Sequence, residues 1–189
     1  LDATMPPWVQ EGGHNEWVKR LQIPSVREKV SQEMLDVDSS WENFYTQAGP
    51  EGILLTGFRN SKLKKYTGMT LQEVSEIRGT PPQLTAMDLV IEDNSRIDAV
   101  FFLMSEENVT KQIKKPWISF GSDAGAVANE GAFIEKSLHP RAYGNFARVI
   151  GKYVRDEHAL TMKEAIRRLT SLPAKNTGIQ NRGSIEIDN

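Results

Sequence analysis

Between Asp98 and Phe120 the chain reads DAVFFLM, then SEENVTKQIKK, then PWISF, and this succession constrains the fold more than any other stretch. An uninterrupted apolar run is the mark of a strand covered on both faces. Ser105 then supplies an N-cap, Glu106 and Glu107 fall in a first helical turn, and Lys111, Lys114 and Lys115 fall in or beyond the last, complementing the helix dipole. Strand, crossover helix and strand make a βαβ unit, for which a parallel, right-handed arrangement is expected. The fold class predicted is therefore α/β. In such sheets the loops that follow the strands share one edge, which puts Met104 and Asp123 on the same rim.

Asp123 stands where the second apolar run gives way to GSDAGA. Two roles are open to a carboxylate there: it can bind its own turn or cap a following helix, or it can carry a proton or a metal at the mouth of a buried strand. About twenty residues without clear periodicity follow, longer than an ordinary βα loop, and loops of that length on this edge cover or line sites. His139 and Arg141, in SLHPRAYG, belong to that loop. The imidazole can serve the rim or fix the loop, and the guanidinium can match a substrate carboxylate bidentately. Phe101 and Met104, near the end of the first apolar run, are candidate pocket walls or plain core residues.

Composition removes several alternatives. With 189 residues, 25% charged and 39% hydrophobic, the chain is long enough for one sizeable core. A net charge of −2 gives no footprint for nucleic acid, and the basic residues from Arg141 to Arg182 are interleaved with acids and apolar side chains, as on a solvated helix face. Absence of cysteine rules out disulfides, thiolate nucleophiles and cysteine zinc sites within these residues, and is compatible with a reducing, cytoplasmic setting. No apolar run approaches the roughly 18 residues of a membrane span, and the first residues do not read as a signal peptide. His14, His139 and His158 show no ligand spacing, Ser122 has no nucleophile elbow, and neither GTPPQ nor GSDAGA is a phosphate loop. The chain opens at Leu1 without methionine, which fits a piece of something longer.

Elsewhere helices are expected around Trp17 and Leu21, from the capping box SVRE (Ser25, Glu28), from TLQE (Thr70, Glu73), after the proline pair following Thr80, through FARVIGKYV, and from Thr161 with Glu164 over a stripe of Ala165, Ile166 and Leu169. GILLTGF, Gly52 to Phe58, reads as a strand, and NTGIQNRGSIEIDN as a turn with a short alternating strand.

The order of these motifs carries a resemblance. SFGSDAGA, then HPRAYG, then a helix leading to TSLPA and an RGSI turn, is similar to the C-terminal part of the catalytic domain of N-acyl-D-amino-acid deacylases, the D-aminoacylase branch of the amidohydrolase superfamily. The resemblance implies that residues 1–189 are the C-terminal portion of a distorted (β/α)8 (TIM) barrel, with residues 60–95 as a helical insertion and residues 179–189 as the truncated start of a small β-rich domain. It implies a zinc-dependent hydrolase that cleaves the amide of an N-acyl-D-amino acid. Asp123 would then be general base and acid toward a zinc-activated water, and a possible metal ligand. The other ligands of the family, among them an early HxH motif, have no counterpart in this sequence. This chain alone is therefore expected to be inactive, needing as partner the N-terminal half of its own barrel. Phe101, Met104, His139 and Arg141 are the expected substrate contacts, with no nucleic acid or membrane partner. Two alternatives remain: an amidohydrolase of cyclic amides, and an α/β interaction module without chemistry, which would have a complete core and an Asp123 satisfied by its own turn.

Overall fold

The computed structural model describes residues 1–131 and 138–187, and these divide into two compact units, Leu1–Leu103 and the residues from Met104 onward. In the first unit the helices α1 (His14–Leu21), α2 (Pro24–Met34), α3 (Phe44–Ala48), α4 (Leu71–Arg78) and α5 (Pro82–Asp93) surround a two-stranded sheet of β1 (Ile53–Gly57) and β2 (Asp98–Phe101). Its core is closed over fully buried Trp17, Leu21, Met34, Ile53, Leu55, Leu71, Met87 and Leu89.

Local signals explain most of these elements. Thr70 and Glu73 form the reciprocal capping box that starts α4, and Gly79, in the left-handed region at φ 64°, ends it. Helix α2 begins two residues earlier than its sequence suggests. Pro24 takes the first helical position after Ile23, so Ser25 does not cap it and the SVRE box is not formed. Asp93, buried at the end of α5, accepts the amides of Arg59 and Asn60 at 3.2 and 2.8 Å and so fastens the turn leaving β1.

The two strands run antiparallel, Ile53 opposite Phe101 and Leu55 opposite Ala99, with a bulge before Gly57. A side chain at Gly57 would meet the Asp98 carboxylate at 2.9 Å, so a larger residue there would have to displace that side chain. Thr70 bridges to Leu54 on the far edge of β1, whereas β2 has no second strand partner among the described residues.

This sheet corrects the expected βαβ unit. Strand β2 ends at Phe101, and Phe102 and Met104 are exposed rather than covered on both faces. Trp117–Phe120 joins no ladder, and the described residues show no parallel pair and no closed barrel. A buried parallel strand needs neighbours on both edges, and none pairs with this segment; side-chain donors take its carbonyls instead.

In the second unit α6 (Glu106–Ile113), capped by Ser105, is followed by a turn at Pro116–Trp117 and an irregular segment through Asp123. Helix α7 (Arg141–Arg148) continues into a π-helical stretch, Val149–Asp156, and then come α8 (Met162–Leu169), capped by Thr161, and α9 (Ser171–Thr177). Ile113, Val149, Tyr153, Ala165 and Ala174 are its buried apolar side chains. Residues 179–187 form no strand, and Ile185 and Ile187 stand in solvent; the last two residues of the expected terminal strand lie outside the described residues.

Candidate functional site

After a turn at Pro116–Trp117, the segment Ile118–Asp123 joins no ladder, so its polar backbone atoms must find other partners. Helix α8 provides most of them. Arg167 Nη2 donates to the carbonyl of Pro116 at 2.7 Å, Arg168 Nε donates to that of Ile118 at 2.6 Å, and the amide of Phe120 donates to the carbonyl of Arg168 at 3.2 Å. Helix α7 adds Asn145, whose Nδ2 donates to the carbonyl of Gly121 at 3.0 Å.

Asp123 follows with φ 48°, a left-handed conformation that aspartate tolerates better than most residues. Its side chain is 90% exposed and lies 3.0 Å from Nη2 of Arg141. No helix follows for it to cap within Ala124–Glu130, and among the described residues its carboxylate accepts no hydrogen bond from its own turn. The capping role is therefore not what the geometry displays. An ion pair this exposed contributes little to stability, so the carboxylate is located by its backbone rather than by the arginine.

His139 completes the group. Its Nδ1 accepts the amide of Arg141 at 3.1 Å, which fixes the neutral tautomer protonated on Nε2. Partial burial, then the Arg141 guanidinium, push the imidazole below its ordinary pKa of 6.5, while the Asp123 carboxylate pulls the other way. Asp123, His139 and Arg141 are thus brought together. Met104, just before the Ser105 cap, is 66% exposed. Phe101 lies in the first unit, edge-on to Phe44 with ring centroids 5.2 Å apart and packed against the core. Of the other histidines, His14 bonds Asn94 and His158 bonds the carbonyl of Val154.

Among the described residues no three His, Asp or Glu side chains gather in metal-binding geometry, and the site carboxylate already has an arginine beside it. One carboxylate does not make a zinc site, which takes three or four protein ligands. A zinc ion at Asp123 would need its other ligands from outside these residues.

No family model matches the sequence. Among curated proteins it is 34% identical over 89 residues to the N-acyl-D-glutamate deacylase of Alcaligenes xylosoxydans xylosoxydans, covering 47% of this chain and 17% of that protein. It is 28% identical over 122 residues to the D-aminoacylase of the same organism, covering 65% of this chain and 23% of that protein. The chain is homologous to the N-acyl-D-amino-acid deacylases. Among solved structures, the N-acyl-D-glutamate deacylase of Bordetella bronchiseptica, complexed with zinc and a phosphonate inhibitor, superposes with a TM-score of 0.60 at 26% identity, over 76% of this chain and 27% of that one. A D-aminoacylase structure described as defining a novel subset of amidohydrolases matches with a TM-score of 0.55 at 25% identity, over 71% and 25%. The chain thus spans about a quarter of the length of these structures or less of the curated proteins.

Sequence reasoning missed the residues that bond the backbone of the segment leading to Asp123. Arg168 falls among the positions of α8 that point inward, three residues after fully buried Ala165, and the pair of arginines in AIRRL was the available signal. Ile166, expected in the apolar stripe, is instead 49% exposed.

Proposed function

We propose that these residues form part of a metal-dependent hydrolase that cleaves the amide of N-acyl-D-amino acids, with Asp123 as the group that moves the proton. The observation that carries this reading is the Asp123 carboxylate, open to solvent at the end of a segment that joins no ladder, beside a guanidinium and a neutral imidazole. The homology to deacylases supports the reaction class.

In this reading the carboxylate accepts a proton from the attacking water as its oxygen bonds to the acyl carbon. It returns that proton to the nitrogen as the C–N bond breaks, releasing a carboxylate and a D-amino acid. Arg141 supplies a fork for the substrate's α-carboxylate, and His139 holds the amide of Arg141 so that the fork stays beside Asp123. Met104 is proposed as a pocket wall for the substrate side chain. Zinc, when bound, lowers the pKa of water toward neutrality. Apart from Asp123 as a possible ligand, its ligands would lie outside the described residues.

The test is hydrolysis, by the polypeptide that carries this chain, of N-acetyl-D-glutamate, N-acetyl-D-aspartate and N-acetyl-D-methionine beside their L-enantiomers. Turnover of at least one D-substrate with little or none of its L-form is expected. Equal turnover of both enantiomers, or none of any substrate with zinc supplied, would contradict the reading.

A further inference from the structure

Arg168 is 1% exposed, an unusual position for a cation. Its Nε donates to the carbonyl of Ile118 at 2.6 Å, its Nη1 donates to that of Ile113, and its guanidinium lies 4.6 Å from the centre of the Phe120 ring. Its own carbonyl accepts the amide of Phe120 at 3.2 Å. One residue therefore clamps both ends of the stretch Ile118–Phe120. Only Gly121 and Ser122 separate that stretch from Asp123.

We propose that Arg168 is a positioning residue for Asp123, a buried guanidinium that does for the strand end what a neighbouring strand would otherwise do. The inference rests on the reading of Asp123 as the proton carrier and deepens it. Stability alone does not account for the residue. Nη2 of Arg168 is buried without a partner among the described residues, and an apolar side chain of similar length would fill the space without that desolvation cost. What an apolar residue cannot do is donate to the carbonyls of residues 113 and 118. Since, among the described residues, the Asp123 side chain is held only by an exposed ion pair, its distance from a substrate is set by this backbone clamp. A displacement of about 1 Å at a reacting group can cost about a hundredfold in rate.

The experiment compares Arg168→Met and Arg168→Lys, each with and without Asp123→Asn, in the polypeptide that carries this chain. It measures kcat and KM for the best N-acetyl-D-amino acid and amide hydrogen exchange along residues 113–123 and 162–169. Arg168→Met is expected to lower kcat roughly tenfold or more with KM within about threefold, and to speed exchange at Phe120 while the interior amides of α8 keep their protection. Arg168→Lys, with one donor group in place of the fork, should recover part of the rate. In the Asp123→Asn background the Met substitution should cost little more, because the group it positions is already gone. Unchanged exchange at Phe120, kcat within threefold of wild type, or a rate loss fully multiplicative with Asp123→Asn would each overturn the proposal. A wild-type polypeptide that hydrolyses no N-acyl-D-amino acid would sink the function assigned to Asp123, and the exchange data would then decide alone whether Arg168 clamps the segment.

Discussion

At the scale of single residues, His139 links the Asp123 loop to pH. Its Nδ1 must be unprotonated to accept the Arg141 amide, and its folded pKa lies below the ordinary value of 6.5 because of burial and the Arg141 cation. For a group depressed on folding, the unfolded chain binds more protons in the window between the two values. The stabilisation is therefore complete above about pH 6.5 and is lost as pH falls through the folded value. In an NMR titration the His139 ring should have its midpoint below that of a free imidazole. Asp123→Asn should lower it further by removing the opposing anion, and Arg141→Gln should raise it. A midpoint at or above 6.5 in the wild type would show that the bond to Arg141 is not made in solution. Asp123 stood out in the sequence because it follows an apolar run and precedes a long loop, a placement that left both an own-turn role and a proton-carrying role open. Arg168 was not, because an arginine among alternating acids and bases reads as surface until packing shows otherwise.

Among elements, α6 is fastened to the end of α7 and the π-helical stretch by Glu106. Its carboxylate meets Arg148 Nη2 at 2.6 Å, Lys152 Nζ at 2.7 Å and the Tyr153 hydroxyl at 3.0 Å. The Lys152 hydrogen bond first, then those of Tyr153 and Arg148, outweigh desolvation and hold its pKa down to about 2 from the usual 4.5. A depressed carboxylate contributes stability that is present above the unfolded pKa and is lost as pH falls through the folded one. Thermal unfolding followed from pH 5 to pH 2 should therefore lose stability in this window, while Glu106→Gln should flatten that loss and lower the neutral-pH midpoint by roughly a few degrees. The side chain is 56% exposed, so salt should shrink both effects. Identical pH profiles for the two proteins would remove Glu106 from the fastening. The same scale shows where pattern reading succeeds. The caps at Thr70, Ser105 and Thr161 are local, formed within four consecutive residues, and all three are made. The strand at Trp117–Phe120 depends on a partner that local sequence does not supply, and it does not form.

For the molecule as a whole, what was legible was class and kinship, and what was not was closure. Order of motifs identified the deacylase relationship, which needs only that short segments follow one another as they do in the relatives. The barrel is a property of eight strands paired in a ring, and the described residues hold one antiparallel pair. Phe102, Met104 and Trp117 are each more than 60% exposed, and β2 keeps an open edge among the described residues, features the interaction-module alternative does not call for. Asp123 would supply proton transfer to a centre whose metal is held by other residues. The direct measurement is zinc content and turnover of an N-acetyl-D-amino acid in the same samples of wild-type polypeptide and its Asp123→Asn variant. The account predicts that the variant retains its zinc and loses about a hundredfold or more in kcat with KM little changed, as removal of a general base does. Turnover within threefold of wild type, or loss of the zinc together with the activity, would contradict it.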